Sequence, residues 1–293
     1  MRIKLALPLL LIFAGAKPLL AQDIDTLLNE QKPKKEYVTA SFKSTRIIMT
    51  HSIEMLKPGI LDFRILHRFG NVNSGAGEFF GLDQATIRLG LDYGISNNFT
   101  IGIGRGNYRK ELDGFLKYRL IQQATGIGAS PISLVLAGGT TLQTAKWVGA
   151  PKDESFSNRL GYYGQILAGR KFSENLTLQL TPTIVHRNLV PIGDPNDMYA
   201  LGAGGRIKLS HRVSFNVDYY MVFNKDKSIK TYNPLSIGFD IETGGHVFQL
   251  HLTNAIGMNE RAFITETTNR WSKGDIQFGF NISRAFQVKK RKF

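Results

Sequence analysis

Apolar and polar side chains alternate along most of this chain. In the stretch "DIQFGFNISRAF" (residues 275–286), Ile, Phe, Phe and Ile occupy one parity while Gln, Gly, Asn and Ser occupy the other. A β-strand directs successive side chains to opposite faces, so the pattern predicts a strand between an apolar and a polar environment. A half-buried strand of a soluble antiparallel sheet gives the same signal when one segment is considered alone.

The same alternation recurs in about twelve segments, most of them near the roughly 9–11 residues that a tilted strand needs to cross a bilayer. An even strand count is typical of single-chain bacterial outer-membrane barrels. The first apolar residues of the successive predicted strands are Leu61, Ile87, Phe99, Leu116, Ile132, Tyr162, Leu176, Leu201, Val213, Leu235, Phe248 and Ile276.

The connections between these segments alternate between longer and shorter. "TAKWVGAPKDESFSN" (residues 144–158) is followed by "KFSEN", and "NKDKSIKTYN" is followed by "TGG". Outer-membrane barrels have tight periplasmic turns and longer outer loops, whereas a Greek-key sandwich mixes the two lengths. The sequence therefore predicts an all-β fold: a transmembrane antiparallel up-and-down β-barrel of about 12 strands, with periplasmic N- and C-termini, its apolar parity facing lipid and its polar parity facing the lumen.

The N-terminus reads as an export signal. Arg2 and Lys4 precede an apolar run that is too short to span a bilayer, and Ala21 offers a small residue for cleavage. We therefore divide the chain into a signal peptide (1–21), a periplasmic leader or plug segment (22–57), the β-barrel (58–286) and a basic periplasmic tail (287–293). Beyond the signal peptide no run approaches the roughly 18 apolar residues of a spanning helix.

Two of these segments allow more than one interpretation. Residues 23–58 could form a periplasmic leader, an extra strand or a plug inserted into the lumen. The terminal "KKRKF" (residues 289–293) is either a solvated tail or an electrostatic contact with anionic envelope material.

Composition and charge limit the classes of binding partner that we expect for this protein. The chain contains no cysteine, which excludes disulfides and thiol chemistry. Its formal net charge is +14, and removal of the signal peptide with its three basic residues leaves +11. Such a charge suggests nucleic acid in a soluble protein, but an exported barrel does not meet nucleic acid. The expected partners are outer-membrane lipid, the barrel-insertion machinery and a small solute.

Several segments also resemble a known family. "GILDFRILHRFG" (59–70), "LDYGIS" (91–96), "IGIGRG" (101–106) and "DGFLKYRLIQQ" (113–123) are similar to the bacterial β-barrel family catalogued as domain of unknown function 5777. The resemblance begins at the leader "EYVTASFKSTRI" (36–47) and extends to the last predicted strand. It implies an outer-membrane barrel without an assigned activity, so it supplies no catalytic residues.

The residues give little support to an enzyme. The six histidines form no HExxH pair and no metal cluster. His251 with Ser236 or Ser283 could be arranged as in an outer-membrane lipase, but no G-x-S-x-G motif marks either serine. The strings "GIGIGRG" and "GAGGR" join no strand to a helix, so they are not phosphate loops. We expect no catalytic residues, no metal and no cofactor.

The polar parity carries a set of charges that would face the lumen. Basic residues concentrate on the first, second, fourth and eighth strands, and acidic residues on the ninth and tenth lie across the barrel. Opposed charges at a constriction would create a transverse field that sets selectivity in a pore. Alternatively, the same groups pair locally and fill a narrow interior. The predicted lumen charges are Asp62, Arg64, Arg68, Arg88, Asp92, Lys117, Arg119, Arg206, Lys208, Asp218, Asp240 and Glu242.

The sequence therefore predicts a protein of the bacterial outer membrane and leaves its activity open between two main classes. The first is a passive channel or uptake barrel for small solutes, with anionic solutes favoured by the basic excess. The second is a non-transporting envelope protein that presents outer loops, especially residues 144–158 and 255–272, for binding. A lipase-type hydrolase is a more distant third.

Overall fold

The chain forms a closed antiparallel β-barrel in the computed structural model, which describes residues 34–145 and 155–289. The predicted signal peptide and most of the basic tail lie outside the described residues. The strands are β1 (Glu36–Tyr37), β2 (Ile60–Asn71), β3 (Ala85–Ser96), β4 (Phe99–Gly106), β5 (Glu111–Ile121), β6 (Ala124–Thr125), β7 (Ser133–Gln143), β8 (Leu160–Lys171), β9 (Leu176–Arg187), β10 (Asp197–Lys208), β11 (Val213–Phe223), β12 (Leu235–Thr243), β13 (His246–Thr253) and β14 (Gln277–Gln287).

Twelve of these strands close the barrel, and β1 pairs separately with β6. Each barrel strand pairs antiparallel with its neighbours along the chain, and β14 pairs with β2 to close the ring. The register of this closing pair places Ser283 opposite Arg64 and Phe286 opposite Leu61. Closure leaves no free sheet edge, and the predicted all-β barrel of about twelve strands is confirmed.

The two faces of the wall follow the alternation in the sequence. On β9, the side chains of Leu178 and Leu180 point outward and are 45% and 54% exposed, whereas those of Gln179 and Thr181 point inward and are buried. An apolar outer face around a polar inner face is the arrangement that hydrocarbon stabilises, since the backbone hydrogen bonds are all made within the closed sheet.

The connections are short at one end of the barrel and mostly long at the other. At the short-turn end, β12 and β13 are joined by Gly244 and Gly245, whose φ angles of 43° and 109° suit glycine in a tight hairpin. The long-loop end carries residues 72–84, 144–145, 155–159, 188–196, 224–234 and 254–276.

Two connections break the predicted alternation of lengths. The link between β4 and β5 contains only residues 107–110, because Glu111 already pairs with Gln143 of β7. The link from β5 to β7 (residues 122–132) lies at the short-turn end but is long, since it contains β6 and pairs with β1.

Two segments fill the interior of the barrel. Residues 41–53, which we call the plug, enter from the short-turn end and are buried apart from the partly exposed Lys43. Residues 254–276, which we call the inner loop, fold inward from the long-loop end and carry helix α1 (Glu260–Thr265), whose residues are all buried. Among the described residues, no helix has the length and apolar character needed to cross a bilayer.

Substitution of an outward leucine tests which solvent surrounds the barrel. We expect Leu180→Arg, in the middle of β9, to lower the free energy of unfolding in phospholipid vesicles by about 2–4 kcal/mol, because the guanidinium would lie in hydrocarbon. Ile192→Arg is the control, since Ile192 is fully exposed in a long loop and its replacement should change little. Denaturant titration in vesicles measures both variants, and equal stabilities would contradict a lipid-facing wall.

Candidate functional site: the lumen and its two inserted segments

The plug folds as a tight hairpin-like turn inside the lumen. Arg46 and His51 form an isolated antiparallel bridge. The amide of Ile47 donates to the carbonyl of Thr50 at 2.9 Å, and the amide of Ser52 donates to the carbonyl of Thr45 at 2.9 Å. These few internal bonds leave most polar groups of the plug backbone to find partners elsewhere.

Polar side chains of the barrel wall supply those partners. Asp218 of β11 accepts from the amides of Met49 and Thr50 at 3.0 and 2.9 Å. Asn281 of β14 donates to the carbonyl of Ile48 at 2.9 Å. These side-chain bonds take the place of strand pairing, so the tip of the plug is held without joining the sheet.

Two glutamines clamp the plug in the same manner. Gln249 of β13 donates to the carbonyl of Ile47 at 2.6 Å. Gln179 of β9 accepts from the amide of Ile53 at 2.9 Å and donates to the carbonyl of His51 at 2.8 Å. The clamps come from strands on different parts of the ring, so the plug is fixed in the middle of the lumen.

The apolar side chains of the plug pack in two buried clusters. Ile48 and Met49 join Phe263 and Ile264 of α1 in one cluster with inward residues of the wall. The second cluster lies on the other side of the plug and contains Phe42, Ile47, Ile53, Val135, Ala137 and Leu167. The plug and the inner loop therefore share an apolar core inside a barrel whose wall is largely polar.

An ion pair joins the two inserted segments. Arg46 Nη1 of the plug donates to Glu260 Oε1 of α1 at 2.8 Å, and both side chains are 1% exposed. His51 Nε2 lies 3.3 Å from the same carboxylate oxygen and 3.2 Å from the hydroxyl of Tyr163. We call Arg46, His51 and Glu260 the latch, since they connect the segment from one end of the barrel to the segment from the other.

Charge in the latch is balanced. Burial alone lowers the pKa of Arg46, but the Glu260 carboxylate together with Tyr163 and Asp92 outweighs burial, and the net shift of the Arg46 pKa is upward. Burial, followed by the positive charge of Arg46, holds the pKa of His51 well below its ordinary value. The latch is therefore one cation and one anion with a neutral imidazole beside them.

Most predicted lumen charges on β2, β3 and β5 are paired with immediate neighbours. Arg64 lies 2.8 Å from Asp62 and 3.1 Å from Asp92, and all three side chains are buried. Arg88 Nε donates to Asp113 at 2.8 Å. Local pairing of this kind satisfies buried charges without a field across the lumen.

Other predicted charges hold the plug. The Lys117 ammonium donates to the carbonyl of Glu54 at 2.6 Å. Arg206 Nη1 donates to the carbonyls of Ala40 and Ser41 at 3.1 and 2.9 Å. These two cations, together with Asp218, contact the inserted segment rather than each other.

The remaining predicted charges are placed separately. Arg68 is fully buried and donates to Asn281 at 2.9 Å, and Asp240 accepts from Gln249 at 3.0 Å. Arg119 and Lys208 are half-buried near the short-turn end, where Arg119 donates to the Asn97 carbonyl at 2.7 Å. Glu242, which is about half-exposed, pairs with Lys43 at 2.6 Å.

These positions change the interpretation of the opposed charges. Arg64 and Lys117 do not face Asp218 across an open constriction, because the plug lies between them. Its Thr45 accepts from both cations, and its Met49 donates to Asp218. Of the two arrangements that the sequence left open, a transverse field or local pairing, the described residues show local ion pairs together with contacts to the plug.

The structure adds charged residues that the sequence analysis did not select. Asp113 partners Arg88, and Glu111 accepts from Arg261 of α1 at 2.7 Å. Both lie on the inward parity of β5, two and four positions before Phe115. Extending the alternation of that strand from Leu116 toward its start finds both residues. Nothing in the alternation signals Arg46 or Glu260.

A cavity of about 280 Å³ opens at the long-loop end, above α1; we call it the mouth pocket. Residues from four long-loop connections and from the inner loop line it. Its charged lining contains more guanidinium groups than carboxylates: Arg109, Arg159, Arg187 and Arg261 against Asp226 and Glu266.

Two acidic side chains organise these arginines. Asp226 accepts from Arg187 at 2.8 and 2.5 Å through both carboxylate oxygens. Glu266 accepts from Arg109 at 2.7 Å and from Arg261 at 2.5 Å. Burial alone raises the pKa of Glu266, but Arg261 and then Arg109 outweigh burial and lower it. Glu266 is therefore an ionised carboxylate bridging two guanidinium groups.

The serines considered for hydrolysis make other contacts. Ser236 donates its hydroxyl to Thr253 at 2.8 Å rather than to His251. Ser283 is opposite Val247 in the β13–β14 register, whereas His251 is opposite Gly279. Within residues 34–145 and 155–289, no group of three or more His, Asp or Glu side chains is arranged to hold a metal ion.

Comparison with known proteins identifies the domain. The sequence model of a family described as a membrane-bound β-barrel domain matches residues 42–286. No curated protein matches the chain.

The solved structures that resemble the barrel are distant in sequence. They include the NanC porin (10% identity, TM-score 0.48, covering 77% of this chain and 98% of that one). An outer-membrane channel from Pseudomonas putida F1 has 12% identity and a TM-score of 0.44, with 80% of this chain and 98% of that chain covered. LpxR from Salmonella typhimurium has 11% identity and a TM-score of 0.35, with 77% and 99% covered. Similarities at this level assign no activity.

Removal of the latch carboxylate should loosen the plug. Glu260→Gln leaves the buried Arg46 cation without its anion, and breaking a buried pair in this way typically costs about 3–5 kcal/mol. We expect amide hydrogen exchange in residues 41–53 to accelerate at least about a hundredfold in this variant.

The matched control is Glu242→Gln. It removes the other carboxylate that pairs with a plug-segment cation, Lys43, but Glu242 is 53% exposed and a solvated pair contributes only about 0–1 kcal/mol. Exchange in this variant should stay within a few-fold of the unmodified protein. Similar exchange in the two variants would show that the latch does not hold the plug.

Proposed function

The chain belongs to the family of membrane-bound β-barrel domains catalogued as domain of unknown function 5777, and we propose that it is a solute-uptake channel of the bacterial outer membrane. In this proposal the channel is closed by its own N-terminal segment. The observation that carries this proposal is the manner in which the plug is held. It is bonded to the wall by side chains alone, so it can leave without breaking the sheet.

The wall behind the plug is suited to water. The inward residues of β9 include Thr177, Gln179, Thr181 and Thr183, all of them buried in the closed state. A polar lining remains hydrated when the plug leaves, whereas an apolar constriction gates by dewetting. Release of the plug would therefore expose a wet passage.

We infer the location of the protein and its orientation in the outer membrane from the export signal that the sequence predicts and from the barrel fold. We place the short-turn end, from which the plug enters, on the periplasmic side, since outer-membrane barrels have short periplasmic turns. The long-loop end, with the mouth pocket, then faces outward. Arg109, whose side chain is 39% exposed at this end, favours small anionic solutes.

The second candidate is a non-transporting protein that binds a ligand at its outer loops. The shared apolar cluster of Ile48, Met49, Phe263 and Ile264 favours it, because this cluster packs the lumen like a protein core. In that case the plug and α1 would be permanent structural parts of the barrel.

Conductance in planar bilayers separates the two candidates. We expect the unmodified protein to stay closed for most of the time, with rare openings. Removal of residues 34–57 should raise the open fraction, and additional replacement of Asn259 to Glu266 by a Gly-Ser linker should give steady conductance. The two obstructions of the lumen, the plug and helix α1, are then both absent.

Heat-modifiable gel mobility must first confirm that each variant has folded as a barrel. A folded barrel that lacks both obstructions and passes no current would contradict the channel and favour the binding protein.

A further inference from the structure

The mouth pocket and the plug lie at different depths along the barrel axis, but helix α1 contacts both of them. Helix α1 begins at Glu260, which binds Arg46 of the plug, and Glu266 follows directly after its last residue. Six helical residues span about 9 Å. One short helix therefore links a carboxylate in the latch to a carboxylate in the pocket.

The pocket side of this helix carries a chain of ion pairs, and just beyond it the carbonyl of Thr267 accepts from the amide of Tyr232 at 2.8 Å. Glu266 binds Arg109 at 2.7 Å and Arg261 at 2.5 Å, and Arg261 also binds Glu111 of the wall. Arg109 is 39% exposed, whereas the side chains of Arg261 and Glu111 are nearly inaccessible. A solute that enters from the long-loop end therefore meets Arg109 first.

Glu266 occupies the position that a solute oxyanion would take. A guanidinium binds a carboxylate or phosphate with short, charge-assisted hydrogen bonds. The exposed Thr268 supplies a further hydroxyl donor, and the pocket volume of about 280 Å³ is at the small end of the range for ligand sites. Its size and charge therefore fit a small organic anion.

We propose that the mouth pocket binds a small solute carrying a carboxylate or phosphate, and that binding to Arg109 in place of Glu266 releases α1 and opens the latch on the plug. This inference rests on the proposed channel function and specifies its ligand class and its control. The solute shifts the equilibrium between the docked and the released plug, because it binds the conformation in which Glu266 is displaced more tightly than it binds the closed conformation.

The test uses the full-length protein in lipid vesicles with one reporter cysteine. The chain has no native cysteine, and Ser52 of the plug is fully buried. In Ser52→Cys, maleimide labelling reports release of the plug. Glutarate and inorganic phosphate are the probes, and glutaramide, which is uncharged and similar in shape to glutarate, is the ligand control.

We expect at least one of the two anions to accelerate labelling about 5- to 150-fold, the usual range for coupled sites, and glutaramide to have no effect. Arg109→Gln should abolish the acceleration. Arg270→Gln is the matched control, because Arg270 is an exposed arginine of the inner loop that does not line the pocket. The anion should still accelerate labelling in this variant. Glu266→Gln should raise the labelling rate without any anion.

Two further measurements make the result decisive. Calorimetry of the same protein measures anion binding directly, and hydrogen exchange of residues 41–53 in the cysteine-free chain checks that Ser52→Cys does not itself disturb the plug. Absence of binding by both anions overturns the pocket, and binding without faster labelling or exchange overturns the coupling. Failure of the channel itself would appear only in the conductance of the barrel without its obstructions, which needs no anion.

Discussion

The structure depends on one requirement: every backbone amide and carbonyl that is removed from water needs a hydrogen-bond partner. The barrel wall meets this requirement by closing the sheet through β14 and β2. The plug cannot meet it internally, since it has few hydrogen bonds of its own. The inward polar side chains Gln179, Gln249 and Asn281 line the wall and supply the hydrogen-bond partners that the backbone of the inserted segment lacks.

The same requirement explains why the interior of the barrel contains both polar and apolar contacts. A segment that is bonded only through polar contacts would exchange readily with water, and one packed only by apolar contacts would behave as a permanent core. The plug uses both, with amide clamps along its backbone and apolar clusters on its two sides. Arg46 and Glu260 add a charge pair between segments that arrive from opposite ends of the barrel. The interior is consequently cohesive, and the plug is attached to the wall without joining its hydrogen-bonded sheet.

The extent to which sequence predicts this architecture differs between wall and lumen. Strands such as β9 were predictable, because their period of two is imposed by the difference between the outer and inner surroundings, and the polar parity correctly indicated buried residues such as Asp218. The partner of Asp218 was not predictable, since Met49 and Thr50 lie in a segment without regular periodicity. A plug was one of three interpretations of that segment. Glu260 lies in a stretch that the sequence predicts only as an outer loop. The inward fold of this stretch depends on tertiary contacts, which no local sequence pattern indicates.

The position of the plug in the chain has a consequence for biogenesis. Residues 41–53 are synthesised before any strand of the barrel, yet Ile48 is bound by Asn281 of the last strand, 233 positions later. The cavity that receives the plug does not exist until the final strand has paired with the first. Docking is therefore the last event of assembly, and until then Phe42, Ile47 and Ile53 have no apolar surroundings. A chaperone that covers this N-terminal region during export would serve the nascent chain at its most aggregation-prone stage.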